Sequence, residues 1–315
     1  MLRFAVRRAA MLVAALLVSS FVIFGSLDLA PGDPLSTLSG GRTLPPEAVA
    51  QLRAQYHLDD PFLSRYVHWI SGVLHGDLGT SIAYRESVSA VISARAGVTL
   101  DLVLFAALLI VVFGVGLGIL SGLRKGWVDT SILTVTTVFA AVPSFVAAIA
   151  LLSVFSVNLG WFPALGAGEG FTDSIKHLTL PAIALALSAM AIVVRVTRTT
   201  VRSEMGREHV QTAISRGIPY PQVVRRHVLR NASIPVTTVV GITITSLIAL
   251  SAVVERAFSL DGLGAALVQA ALSKDFAVVQ GIALVFVAAF VVTNALVDLL
   301  YAFLDPRVAL GSRAS

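Results

Sequence analysis

LVLFAALLIVVFGVGLGILSGL, residues Leu102–Leu123, contains no charged side chain. It is as long as a helix needs to be to cross a bilayer, about 20 predominantly apolar residues. Working outward, the chain repeats the pattern. Ala9–Leu27 precedes it. Thr130–Gly168 follows and is too long for one span; its apolar part ends near Val157, and Asn158, Gly160 and Pro163 then read as a loop. Leu178–Val194 is the shortest run and can lengthen past His177 or Arg195. Asn231–Val254 is the next, and Phe276–Val297 the last, continuing through Asp298 to Leu304. The fold class is therefore an all-α integral membrane protein with six transmembrane helices. Composition agrees: 56% of residues are hydrophobic and 13% charged, where soluble domains carry about a quarter charged. The first run has a basic start, Arg3, Arg7 and Arg8. It is longer than the apolar region of a signal peptide, and Asp28-Leu29-Ala30-Pro31 is a poor cleavage site, so it reads as an uncleaved span.

Orientation follows from where Lys and Arg fall. The net charge is +5, from 23 Lys+Arg against 18 Asp+Glu. These basic residues lie beside spans, so they speak for membrane orientation and not for nucleic acid. Arg3, Arg7 and Arg8 mark the N-terminus, Arg124 and Lys125 the second connection, and Arg307 and Arg313 the tail. The fourth connection holds Arg195, Arg198, Arg202, Arg207, Arg216, Arg225, Arg226 and Arg230. The third has only Lys176, with Glu169 and Asp173; the fifth has Arg256 and Lys274, with Glu255, Asp261 and Asp275. The alternation places the N and C termini and the Arg-rich loop in the cytoplasm, and the long first connection outside.

Three regions result: residues 1–30, the cytoplasmic N-terminus and span one; 31–96, an external helical segment; and 97–315, a core of spans two to six that includes the cytoplasmic loop 195–230. In the external segment, Pro45-Pro46-Glu47 starts a helix with Val49, Leu52 and Tyr56 at helical spacing. Pro61 opens another, with Leu63, Tyr66, Val67, Ile70 and Leu74 on one face. Such stripes suit a cap packed on the membrane face or a docking surface. In the internal loop, Val210, Ala213, Ile214 and Gly217 share a stripe. Gly217 with Pro219 and Pro221 stops the helix, and Val223, Val224 and Val228 form a further amphipathic piece. The arginines alone fit anchoring on anionic lipid; the apolar stripe fits a helix seated in a partner's groove.

Chemistry is scarce. There are no cysteines, hence no disulfide or thiolate site. No Walker A or His-Glu-x-x-His motif is present, and His57, His68, His75, His177, His209 and His227 show no metal spacing. No catalytic group, cofactor site or metal site is expected on this chain. Asp298 is the candidate intramembrane acid. Asp28, Asp101 and Asp129 sit at span ends, where interfacial hydration is the simpler expectation.

Several short stretches carry a family resemblance. They are Leu29-Ala-Pro-Gly-Asp-Pro34, Tyr56-His-Leu-Asp-Asp-Pro61, Tyr66-Val-His-Trp69, Gly76-Asp-Leu-Gly-Thr-Ser81, Pro143-Ser-Phe145, Leu178-Thr-Leu-Pro181, His227-Val-Leu-Arg-Asn231 with Ile234-Pro235, Glu255-Arg-Ala-Phe258 with Gly262-Leu-Gly264, and Tyr301-Ala-Phe-Leu-Asp-Pro-Arg307. In these, over nearly its whole length, the chain resembles the permease subunits of bacterial ABC importers, specifically the first permease of the dipeptide/oligopeptide and nickel group. The internal loop resembles that family's EAA loop, Glu-Ala-Ala, three residues, then Gly. Here Gln211-Thr212-Ala213 precedes Gly217; two leading positions depart from the generic form, as the peptide group tolerates. The resemblance implies a type I importer permease fold in the bacterial inner membrane. It assigns ATPase coupling to Glu208, Gln211, Thr212, Ala213, Arg216 and Gly217. It implies a second, similar permease, two ATP-binding subunits holding the ATP and Mg, and an external substrate-binding protein. Short peptides are the expected substrate, with nickel, glutathione or a haem-like molecule as alternatives within the family. A stand-alone secondary transporter is the alternative of a different class.

Overall fold

The computed structural model describes residues 2–28, 45, 47 and 60–304, and the side chains of 10–26, 45, 47 and 60–297. Among the described residues the regular structure is helical, apart from an isolated bridge between Thr80 and Ser87. Its long helices are α1 (Leu2–Asp28), α3 (Val88–Leu123), α6 (Phe171–Met205), α8 (Tyr220–Ala257) and α10 (Phe276–Leu304). Shorter ones are α2 (Phe62–Leu74), α4 (Trp127–Ala141), α5 (Ser144–Asn158), α7 (Glu208–Ser215) and α9 (Leu263–Leu272). The expected helix around Val49, Leu52 and Tyr56, the side chain of Asp298, and the tail arginines lie outside the described residues.

Four helices, α3, α6, α8 and α10, are long and apolar enough to cross a membrane, and α4 with α5 makes a fifth if the pair is one span. In α1 the described apolar stretch is Ala10–Ser26. The chain is thus a multi-pass membrane protein. With 36 residues in α3 and 35 in α6, at about 1.5 Å per residue, both outrun a hydrocarbon layer of about 30 Å.

The sequence reads one span between Thr130 and Val157. The structure has two helices there, meeting at 99°. Val142 is extended (φ −86°, ψ 118°) and Pro143 caps α5 at φ −58°, ψ 143°. The proline ring disfavours the helical region for the residue before it, so α4 ends at Ala141. α6 begins at Phe171, several residues ahead of the Leu178 boundary, and carries Pro181 inside it.

Two compact units are distinguished, residues 1–97 with 262–291, and 98–261 with 292–315. The second is organised on α6, which packs against α3, α4, α5 and α8. Leu102, Ile110, Leu185, Val193, Leu247 and Phe258 fill its core. Where α3 crosses α6, the seam is glycine. A Cβ on Gly118 would lie 2.5 Å from Thr197 Cβ, and one on Gly122 would lie 2.9 Å from Val201 Cβ. Small residues four apart let membrane helices approach this closely. α3 passes through a π-helical turn at Ile110–Val115, just ahead of that seam.

In the first unit, α2 packs on α1 through aromatic rings. Phe62 meets Phe21 and Phe24, Tyr66 meets both, and Trp69 meets Phe24. The Tyr66 hydroxyl bonds the buried Ser20 hydroxyl at 2.9 Å. Of the expected stripe, Tyr66 packs on α1, while Leu63, Val67 and Leu74 are 63%, 61% and 81% exposed, because ring-on-ring contact favours the aromatic residues Phe62, Tyr66 and Trp69. Further along, Val88 and Val91 pack with Leu263, Ala266 and Ala270 of α9 and Val278 and Ile282 of α10. The fully buried Asp275 caps α10. Its carboxylate accepts from the Ser81 hydroxyl (2.6 Å) and the Ala83 amide (2.9 Å), tying the Gly76–Ser81 turn down.

Candidate functional site

The Arg-rich loop folds into α7 and the start of α8, seated on the ends of α3 and α6. α6 stops at Gly206. Arg207 is extended (φ −71°, ψ 146°) and its guanidinium meets the Glu204 carboxylate at 3.0 Å. Glu208 then occupies the first turn of α7, where the helix dipole favours a negative charge. Val210 and Ala213, three residues apart, point inward onto Val201, Val223, Val228 and Ala232, flanked by Ile119, Leu123 and Met205. The Gln211 amide donates to the Met205 carbonyl at 2.9 Å. His209 and Asn231 meet through their side-chain nitrogens at 3.1 Å.

The end of α7 is closed by a Schellman motif. The Ile218 amide donates to the Ala213 carbonyl (3.2 Å) and the Gly217 amide to the Ile214 carbonyl (2.9 Å), with Gly217 at φ +74°. A Cβ there would meet nothing within 4 Å. Within this chain Gly217 is thus needed for its left-handed backbone and not for close approach.

Of the residues singled out in the sequence, Glu208, Gln211, Thr212, Arg216 and Gly217 are exposed together on and just beyond α7. Ala213 faces the opposite way and is 4% exposed. The four-residue stripe divides likewise: Val210 and Ala213 are buried, while Ile214 is 43% exposed and Gly217 is exposed. α7 is held by one face and presents another. That arrangement can transmit force. It juxtaposes no nucleophile with a base, and among the described residues no group of three His, Cys, Asp or Glu could hold a metal ion.

Sequence reasoning missed the neighbouring cluster. Asp129, in the first turn of α4, is 7% exposed and not hydrated as expected. Arg198 of α6 grips it with two nitrogens, at 2.5 and 2.7 Å; Arg202, one turn on, adds a bond at 3.0 Å; Ser121 of α3 donates at 2.6 Å. The readable signals were the four-residue spacing of Arg198 and Arg202 and the Gly114, Gly118, Gly122 series, both visible in the chain. Neither names Asp129 as the shared partner.

Comparison with known proteins covers the chain from end to end. Residues 114–310 match the family described as binding-protein-dependent transport system inner membrane component, and residues 1–103 match the N-terminal family of such membrane components. A putative peptide transport system permease protein of Brucella abortus is 38% identical over 96% of this chain and 97% of its own length. The glutathione transport system permease protein GsiC of Salmonella choleraesuis is 35% identical over 98% of this chain and 99% of its own. In fold, the chain resembles a structure of the MetNI methionine ABC transporter in an inward-facing conformation, with a TM-score of 0.55 and 16% identity. The match covers 68% of this chain and 96% of that one.

Proposed function

The chain belongs to the binding-protein-dependent transport system inner membrane components, and on that premise we propose that it is the permease subunit of an ATP-driven importer of short peptides. The relatives named for peptides and for glutathione, itself a tripeptide, support that substrate class. In this reading it crosses the bacterial inner membrane six times, with both termini cytoplasmic. It pairs with a second permease, two ATP-binding subunits and an external binding protein. It carries no catalytic group or cofactor, and ATP and Mg reside on the ATPases. Residues 31–96 face outward toward the binding protein.

The observation that carries the coupling role is the two-faced seating of α7. Val210 and Ala213 root it on the span ends, while Glu208, Gln211, Thr212, Arg216 and Gly217 stay exposed. The exposed side, with Ile214 at its centre, suits a shallow groove in an ATPase. Closure of the ATPases would displace α7, and with it α6 and α8.

The test is Thr212→Tyr in the complex co-expressed from neighbouring genes. The bulky ring should cut stimulation of ATP hydrolysis by loaded binding protein at least about 5-fold, as loss of a typical intersite coupling does. Gly217→Asn, which tolerates the left-handed backbone, separates docking from helix termination. Unchanged stimulation, or purification of the chain without any P-loop subunit, would count against the reading. Ion-gradient-driven transport by the purified chain alone would favour a secondary transporter.

A further inference from the structure

We propose that Asp129 is a positioning residue: the joint that makes α4 follow α6 when α7 is displaced. The inference rests on the coupling role given to α7 above. α7 and the end of α6 form one piece, because Gln211 bonds Met205, Arg207 pairs with Glu204, and Val210 and Ala213 pack on Val201. α3 is locked to that piece sterically, through Gly118 against Thr197 and Gly122 against Val201. α4 has no such seam. Among its described residues only Asp129 and Thr136 are buried, and Val135, Val138 and Phe139 are exposed. Its link to α3 is the turn at Gly126, with φ +84°. Its far end is the 99° break before α5. α4 does pack on α6, and Arg195 reaches its Thr137 hydroxyl at 3.5 Å, but its buried, directional tie to both α6 and α3 is the Asp129 carboxylate, held by Arg198, Arg202 and Ser121.

The chemistry suits a joint better than a stabiliser. A buried ion pair contributes little net stability compared with apolar packing of the same volume. A two-pronged guanidinium–carboxylate contact instead fixes direction as well as distance. Cut that contact, and α4 keeps only non-directional packing on α6 and the long Arg195–Thr137 bond, between a glycine turn at one end and a proline break at the other. α7 and α6 would still move together; α4 would lag.

The chain lacks cysteine, which permits a direct test. Ala141→Cys, at the far end of α4, reports on its position. In the complete transporter, its rate of labelling by the small, membrane-permeant N-ethylmaleimide, which reaches a thiol within a span, is compared without nucleotide and after trapping with ATP and vanadate. With Asp129 present, trapping should change the rate at least about 5-fold, within the range of typical coupling. With Asp129→Asn, which keeps the volume, the nucleotide effect should fall below about 2-fold while the ATPases still co-purify and bind nucleotide. Arg202→Gln, which leaves the Arg198 contact, should give an intermediate effect and serves if Asp129→Asn fails to assemble. A nucleotide effect of the parental size in both variants would overturn the joint, even if their melting temperatures drop. No nucleotide effect in the parental background would overturn the coupling reading itself, and the joint with it.

Discussion

Single atoms decide the glycine seam. Gly118→Ala places a methyl carbon 2.5 Å from Thr197 Cβ, so α3 and α6 must part. The expected cost is about 1–3 kcal/mol, as for overpacking elsewhere, seen as a lowered melting temperature of the detergent-solubilised protein. Gly116, two residues earlier on the same helix, has nothing within 4 Å. Gly116→Ala should be neutral or stabilising by up to about 1 kcal/mol, the difference in helix propensity. Equal losses at both positions would rule out the seam as the cause. Gly217→Ala should cost about 1–2 kcal/mol for a left-handed backbone, and Gly217→Asn less. The stop at Gly217 was legible because glycine followed by Pro219 and Pro221 is a local signal. Asp129 was illegible because its partner Arg198 lies 69 residues away, and no local pattern distinguishes a carboxylate awaiting guanidinium from one awaiting water.

At the scale of elements, periodicity found the helices more reliably than it found their buried faces. In α7 the expected stripe was buried at Val210 and Ala213 and not at Ile214 and Gly217, since three apolar residues in eight leave the exact buried face open. α2 offered two stripes at helical spacing, an aliphatic one through Leu63 and an aromatic one through Phe62, Tyr66 and Trp69. Phe21 and Phe24 on α1 chose the second. The Asp275 cap makes a separate prediction. Asp275→Ala strands the buried Ser81 hydroxyl, at about 1–3 kcal/mol for a buried group left unsatisfied, and removes the acceptor of the more exposed Ala83 amide. The loosened turn should be cut faster by trypsin at the exposed Arg85, while Ser81→Ala should have a smaller effect. Equal cleavage of Asp275→Ala and the parent would show that the turn holds without its cap.

For the whole molecule, the runs that became α3, α6, α8 and α10 were legible because a membrane helix needs only length and the absence of charge. The break between α4 and α5 was not. Prolines stand in other apolar runs too, and Pro181 and Pro235 lie inside continuous helices while Pro143 ends one. Proline marks a place for a helix to break; tertiary neighbours determine whether it does. Six spans with internal termini predict that a topology reporter fused after Asp77 is external and one after Arg207 internal; the reverse result, or both on one side, would refute that arrangement. The Asp129 cluster bears on the origin of that topology. In the folded chain Arg198 and Arg202 share a carboxylate and Arg207 answers Glu204, so these arginines offer little net charge to the lipid surface. Yet in the cytoplasmic orientation proposed above, before α4 and α6 meet in the nascent chain, Arg198 and Arg202 are bare cations available to hold their loop back from translocation. In that reading these two guanidinium groups act first as a retention signal during insertion and afterwards as mortar between helices, so removing one would perturb biogenesis and the finished protein by different routes.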